Sequence, residues 1–503
     1  MILELGAKSC GPYSVPTSLL NDNIDFFSDI LNTIINLSFS EGCFPNLLKY
    51  ANVCPIYKKK SNNKCENYRP ISLLSNISKL FERAMHTRVY NFLESSNIFY
   101  ELQFGFRKNY STNHAILDIV ENIRENLDNK TFSCGVFIDL EKAFDTINHK
   151  ILLEKLQHYG IRGITLQWFT SYLYNRKQRV SLDGKKSSFL NITCGVPQGS
   201  ILGPLLFLLY INDMKNAVKF SILHHFADDT NLLCSNTCDK KLKKNVNQDL
   251  QSIFIWLCAN RLSLNVDKTE FILFRPPRKN TNERFSLKLN RKTLFESTKI
   301  KYLGMILDKT LSWKHHIFEL RKKLSRATGI LYKMKKTNCP KNILVSLYYS
   351  LFHSHLNYGI CTYGLANDEY TSRIFLLQKR AIRLISNAPF NAHTAPLFSD
   401  LSILPFEKCV EYQLSVLMWD FDHDKLPAVF SKYFDRAQKK HEHNTRFAAT
   451  NKMSENRLVN TDSQGKKLLK FVGPRIYNVM VDLEFYKNCN TKPHFKQKMK
   501  NTS

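Results

Sequence analysis

The sequence predicts a mixed α/β (α+β) protein in which antiparallel hairpins alternate with amphipathic helices. Three observations predict it. Residues 221–235, SILHHFADDTNLLCS, are two short apolar runs around Asp-Asp-Thr-Asn, the pattern of a β-hairpin with carboxylates at its turn. Ile116, Ile119, Val120, Ile123 and Leu127 recur at helical spacing. From Leu311 onward the pattern turns helical: in HHIFELRKKLSRATGIL, Ile317, Leu320, Leu324 and Leu331 share one face.

A chain of 503 residues has room for two to four domains and an ample core. Its 72 Lys+Arg against 43 Asp+Glu leave a formal charge of +29, which attracts polyanions. Nucleic acid is favoured over a membrane surface, because no basic amphipathic helix stands apart from a fold. The 13 cysteines are odd in number and scattered. Cys234 and Cys238 lie nearest each other, with no second pair to complete a zinc site, so free thiols of an intracellular protein are expected. The N-terminus lacks a secretory apolar core. The longest apolar run, Ile201 to Ile211, is interrupted by Gly203 and Pro204 and is too short to span a bilayer. The expected location is the nucleus and cytoplasm, without membrane.

In chain order, a Gly-Pro loop in AKSCGPYSVPTSLL (residues 7–20) leads to an apolar helix, Ile24 to Leu37. Residues 48–60 alternate towards a strand ending in Lys58-Lys59-Lys60, a charge run that alone reads as a solvated tip. Asn67-Tyr68-Arg69-Pro70 is expected as a turn, and Ser78 to Val89 as a basic amphipathic helix. Ser111 or Thr112 can cap the helix that follows. Gly135 to Leu140 reads as a strand running into Asp139, and 152–177 as helical with Trp168, Phe169 and Tyr172 in the core. The loop Gly195-Val196-Pro197-Gln198-Gly199-Ser200 precedes an apolar helix with Pro204 in its first turn. A helix from Leu242 to Leu257 leads to RLSLNVDKTEFILF, which sets Lys268 between two strands, and KYLGMILD forms another hairpin. Tyr348, Tyr349, Phe352 and Tyr358 read as core. After Pro389 an irregular chain is expected, and beyond Lys432 a polar, Lys-rich stretch with weak core signals.

A pair of adjacent Asp residues at a turn is by itself an ordinary solvated turn. Asp139 at a strand end changes its weight. If the fold joins Asp139 to Asp228 and Asp229, three hard-oxygen ligands meet. Carboxylates on adjacent strands are the ligands that divalent cations need for phosphoryl transfer.

Five segments, FIDLEKAFD, GVPQGSILGPLLF, FADD, NVDKTE and KYLG, stand in one order. On these the chain resembles a reverse transcriptase of the non-LTR (LINE-type, jockey-like) retrotransposons, from about residue 9 to about residue 400. The resemblance implies a right-hand polymerase with fingers, a palm of antiparallel sheet plus helices, and a helical thumb. Its parts would be an N-terminal segment 1–37, fingers and palm 38–308, a thumb-like region 309–390 and a basic C-terminal region 391–503. It implies Asp139 and Asp228 as principal metal ligands, with Asp229 and the backbone carbonyl of Leu140 beside them. Lys268 would be a general acid towards pyrophosphate. Phe144 would be a steric gate against the ribose 2′-hydroxyl. Gln198 and Gly199 would lie under template and incoming nucleotide. Lys58 and Arg69 would clamp the triphosphate, and Tyr302, Leu303 and Gly304 would hold the primer end. The implied cofactor is Mg²⁺, with Mn²⁺ as substitute. The implied partners are template RNA, a DNA primer and dNTPs, with no obligate protein partner.

The sequence departs from that pattern where Tyr13 follows Gly11-Pro12 in place of an acid. The expectation is a fragment of an element's second reading frame that lacks the endonuclease. A decayed or co-opted nucleic-acid-binding remnant is the alternative. An RNA-directed RNA polymerase is disfavoured by Phe144, and a group II intron or telomerase-type enzyme is a weaker variant of the same class.

Overall fold

The computed structural model describes residues 1–3, 11–58, 61–275, 285–290, 292–434, 453, 465–483, 486, 489 and 491–502. Residues 7–10 of the N-terminal loop, and Lys59 and Lys60 of the charge run, lie outside the described residues. The centre is a four-stranded antiparallel sheet in the order Glu270–Phe274, Phe132–Ile138, Asp229–Asn236, Ser221–Phe226. Its inner strand, FSCGVFI, is apolar almost throughout because it is covered on both faces. The helix Thr112–Asp128 covers one face and the helix Asp239–Ala259 the other. Ser111 caps the first of these by accepting from the His114 N–H at 3.2 Å.

A second sheet joins Tyr68–Leu73, Tyr50–Tyr57 and Lys177–Leu182. Here the expected turn at 67–70 is corrected: Tyr68, Arg69 and Pro70 belong to a strand, with Pro55 opposite Pro70. That strand is at the sheet edge, where a proline's missing N–H costs no ladder bond. The reversal lies earlier and ends in the 3₁₀ turn Cys65–Asn67. The expected single helix over 152–177 is likewise two, His149–His158 and Gly163–Leu173. Gly160 lies between them with φ +93°, the left-handed conformation that ends helices. Trp168, Phe169 and Tyr172 are fully buried as expected. The helix Leu202–Ile211 carries Pro204 in its first turn and is buried all round, which explains its unbroken apolar surface.

From Lys314 the chain is helical, with Lys314–Lys336 packed along Asp368–Ile385. Tyr348 and Phe352 are core residues; Tyr349 and Tyr358 are half-buried. Among the described residues the expectation of an irregular chain after Pro389 is overturned; of the polar, Lys-rich stretch expected beyond Lys432, residues 435–452 and 454–464 lie outside the described residues. Helices Phe406–Asp422, Leu469–Val481 and Lys492–Thr502, with the 3₁₀ segment Ala428–Tyr433, place Trp419, Phe430, Tyr477, Met480 and Phe495 in one hydrophobic cluster with residues of the Thr112–Asp128 and Lys314–Lys336 helices. Trp419 and Phe495 stack at 5.7 Å. Among the described residues there, most large apolar side chains go inward, with Phe390 and Val479 as exposed exceptions. Among the described residues no helix is long and apolar enough to cross a membrane.

Candidate active site

The sheet register brings the acids together. Ile138 pairs with Thr230, so the next residue along each strand end, Asp139 and Asp229, stands at the same open edge. Phe226 pairs with Asp229 across a two-residue turn, Ala227-Asp228, in which Ala227 has φ +55°. The hairpin with carboxylates at its tip is thus as the sequence predicts.

The turn rests on QFGFRKNYST, residues 103–112, which the sequence predicts as a Gly-containing loop but without this supporting role. Gln103 Oε1 accepts from the N–H groups of Gly105 at 2.9 Å and Ala227 at 3.3 Å. Gly105 lies so close beneath the turn that a Cβ there would stand 2.3 Å from the Ala227 nitrogen. His225 exchanges backbone bonds with Leu102 and Phe104 at 3.0 and 2.8 Å. The only signal for this support was a Gln two residues before a Gly in QFGF.

The carboxylates feel one another. Crowding by protein atoms, then the charges of Asp228 and Asp139, raise the Asp229 carboxyl to about 6, with Lys58 pulling the other way. Lys268 Nζ donates to Asp139 Oδ2 at 3.1 Å. Lys268 sits in the short turn Val266–Lys268, between strands Ser263–Leu264 and Glu270–Phe274. Among the described residues no group of three or more His, Cys, Asp or Glu side chains is drawn together tightly enough to hold an ion. The donor set still suits a hard divalent cation. It is all carboxylate, it is open to solvent, and its mutual repulsion is what such a cation relieves. Leu140, in the two-residue strand opposite Leu264, holds its backbone beside Asp139.

Phe144 is half-buried, stacked on Phe207 at 4.7 Å and edge-on to Phe106 at 6.3 Å. Its carbonyl accepts from the Val196 N–H at 2.9 Å, and Gly195 N–H donates to the Ile147 carbonyl at 2.7 Å, so the turn carrying Phe144 is bonded to the GVPQGS loop. Gln198 donates to Asp145 at 2.9 Å through its side chain and accepts from Ser72 N–H at 2.7 Å through its carbonyl. Gly199, at φ +119°, lies where a Cβ would come 2.7 Å from the Ser72 carbonyl oxygen. Arg69 stands exposed on its strand opposite Ile56, and Lys58 stands exposed just past the end of the neighbouring strand Tyr50–Tyr57. Leu303 and Gly304, at φ +42° and +85°, make the turn of the Lys299–Tyr302 and Met305–Asp308 hairpin. Tyr302 itself is buried, with its ring on Phe137 at 5.4 Å, leaving only its backbone for an outside partner. Tyr358 OH donates to the Leu303 carbonyl at 2.5 Å and fixes that turn.

Two of the buried acids that sequence reading missed bear directly on the site. Glu82, in the helix Asn76–Ser95, was counted as part of a basic amphipathic surface. It is fully buried and accepts from Ile201 and Leu202 N–H at 2.6 and 3.3 Å and from Tyr172 OH at 3.2 Å. It therefore caps the helix that the GVPQGS loop enters. Burial pushes its carboxyl up, and the buried Arg176 pulls it back down. Asp118 is the second, bonded to His224 at 2.8 Å. Its only signal was an acid interrupting an apolar helix face, matched by two histidines in an apolar strand.

The family described as Reverse transcriptase (RNA-dependent DNA polymerase) matches residues 56–307, which contain Asp139, Asp228 and Asp229 together with Glu82 and Asp118. The chain belongs to this family. It is 28% identical over 392 residues to the RNA-directed DNA polymerase from mobile element jockey of Drosophila melanogaster, covering 76% of this chain and 42% of that protein. It is 30% identical over 421 residues to the probable RNA-directed DNA polymerase from transposon BS of the same organism, covering 77% and 43%. The X-element polymerase of that fly is 28% identical over 387 residues, covering 74% and 41%. The reverse transcriptase chain thus spans about two-fifths of the length of these curated relatives.

Proposed function

We propose that this chain is the polymerase portion of a non-LTR retrotransposon protein, an RNA-directed DNA polymerase that extends a primer 3′-hydroxyl with dNTPs. One observation carries the reading: two paired strands deliver Asp139, Asp228 and Asp229 to one edge, with Lys268 on Asp139 and Lys58 near Asp229. Divalent cations, Mg²⁺ or Mn²⁺, held by the three carboxylates and the Leu140 carbonyl, would supply the charge neutralisation that phosphoryl transfer requires.

The primer oxygen attacks the α-phosphorus of the dNTP; the bond to pyrophosphate breaks as the new phosphodiester forms. Lys58 and Arg69 hold the triphosphate by charge. Lys268 lies within reach of Asp139 and is placed to donate a proton to the leaving pyrophosphate. Phe144, wedged between Phe106 and Phe207, presents a rigid ring to the sugar and excludes a 2′-hydroxyl. Gln198 and Gly199 form the floor under template and nucleotide. The Leu303-Gly304 turn contacts the primer end, and the helical region from residue 309 acts as the thumb over the duplex. The excess positive charge supports nucleic-acid binding, and the sites of action are the nucleus and cytoplasm.

The test is extension of oligo(dT) on poly(rA) with dTTP and Mg²⁺ or Mn²⁺. RNA-templated extension is expected. Folded protein that binds primer–template in a salt-dependent way yet never extends it would overturn the reading in favour of a binding remnant.

A further inference from the structure

We infer that Asp118, His224 and Tyr433 are positioning residues that tie the tip carrying Asp228 and Asp229 to the C-terminal part of the chain. This rests on the polymerase reading above and adds a part to the same site. The strand Ser221–Phe226 leads into the catalytic turn and is the edge strand of its sheet, with a full ladder on one side only. An edge strand is the least constrained of a sheet, so what holds its face decides how well the tip is placed.

That face is held by a chain of polar contacts centred on the buried Asp118. His224 Nε2 meets Asp118 Oδ2 at 2.8 Å, both side chains being fully buried. The other Asp118 oxygen accepts from Tyr433 OH at 2.7 Å and pairs with Lys432 Nζ at 3.0 Å. In the ladder His224 stands opposite Asn231, and Asn231 is two residues from Asp229, on the same face of its strand. Asn231 is itself fixed, donating to the Val136 carbonyl at 3.3 Å. A continuous line of contacts therefore runs from Tyr433 through Asp118, His224 and Asn231 to the Asp229 strand.

The rest of the Thr112–Asp128 helix makes the same attachment. Glu121 accepts from Leu469 N–H at 2.6 Å. Arg124 donates to the carbonyls of Lys467 at 3.2 Å and Thr362 at 2.9 Å. Glu125 pairs with Lys470 at 2.9 Å. Acids at 118, 121 and 125 lie along one stripe of a helix, and each takes a partner from residues 432–470. Glu121 and Arg124 are fully buried, so this stripe is an internal junction and no solvated face. A core acid whose partner is removed leaves an uncompensated buried group, which moves the strand it holds.

The experiment uses the full chain with Asp118→Asn, Tyr433→Phe and Asp228→Asn. Free Mn²⁺ is followed by EPR, and incorporation is measured per bound primer–template. Supporting ligands behind a metal site change its affinity or activity by about ten- to a hundred-fold. Tyr433→Phe keeps the ring, and is expected to weaken Mn²⁺ binding and slow incorporation about ten-fold, with primer–template affinity unchanged. Asp118→Asn is expected to do at least as much. Unchanged Mn²⁺ affinity and per-site rate in folded Tyr433→Phe, with only a lower melting temperature, would overturn the inference, as would an unsubstituted chain that binds no Mn²⁺. If the unsubstituted chain binds Mn²⁺ in an Asp228-dependent way that Tyr433→Phe weakens, yet never extends a primer, the positioning role stands and the polymerase reading falls.

Discussion

Two buried acids flank the catalytic edge, and they support it in different ways. Glu82 works on the side of the GVPQGS loop, where its partners Ile201, Leu202 and Tyr172 fix the entry of one helix. Asp118 works behind the hairpin, where its partners His224, Lys432 and Tyr433 come from two distant stretches. Glu82 caps backbone groups that any helix start leaves open, so its task is local and structural. Asp118 joins a catalytic strand to the C-terminal helices, so its task is positional. Removing the first should cost folding. Removing the second should cost the chemistry beyond any effect on folding.

The largest separation is expected from Glu82→Ala. It strands two buried N–H groups and a tyrosine hydroxyl beside the buried Arg176, a loss of about 3 kcal/mol by the usual cost of breaking buried polar networks. Urea unfolding measures it, and a loss below 1 kcal/mol would reduce Glu82 to a bystander. Next comes Gly199→Ala, where a Cβ meets the Ser72 carbonyl oxygen at 2.7 Å and φ is +119°. A strained, clashing residue there should cost about 1–3 kcal/mol and loosen the loop under the nucleotide, seen as a raised KM for dTTP. Phe144→Ala should cost about 1–2 kcal/mol, less than a fully buried ring because it is half-buried, through the lost stacking on Phe207, while admitting ribonucleotides. Unchanged sugar selectivity, measured with rUTP against dTTP, would remove the gate.

The smallest effect, and the one that sharpens the comparison most, is in acid. Burial alone would raise the Asp118 carboxyl. The His224 hydrogen bond and charge, with Lys432 and Tyr433, bring it instead down to about 2 from the ordinary 3.8. A depressed carboxylate contributes stability that is present above its unfolded value and is lost as pH falls through its folded value. The stability gap between the native chain and Asp118→Asn should therefore be full at neutral pH and shrink between about pH 4 and pH 2. A gap that stays constant across that range would place Asp118 outside any charged network.

The contrast also tells what a sequence can show. Asp139, Asp228, Asp229 and Lys268 were legible because each lies in a short motif whose turn or strand end is set by its neighbours. The hairpins, the capped Thr112–Asp128 helix and the buried Leu202–Ile211 helix were legible for the same reason. Pro70 misled because an edge strand tolerates a proline that an inner strand does not. Tyr302 was assigned to the primer from its motif, but its ring belongs to the core on Phe137. Asp118 showed only as an acid on an apolar helix face, and Tyr433 left no local trace. Their meeting depends on a C-terminal region whose few apolar residues, such as Trp419 and Phe495, give no clear periodicity yet stack together in the core. Local pattern marks the chemistry, and long-range pairing decides how it is held.

The central claim is that carboxylates from two strands act as one site. Single-nucleotide incorporation on poly(rA)·oligo(dT) by Asp139→Asn and Asp228→Asn tests it most directly, with primer–template affinity measured on the same samples. The account predicts that each variant loses about 10³-fold or more in rate while affinity stays within a few-fold, and that the double variant loses no more than either alone, as groups acting as a unit do. Either variant retaining its rate, or losses that multiply in the double variant, would contradict a shared site.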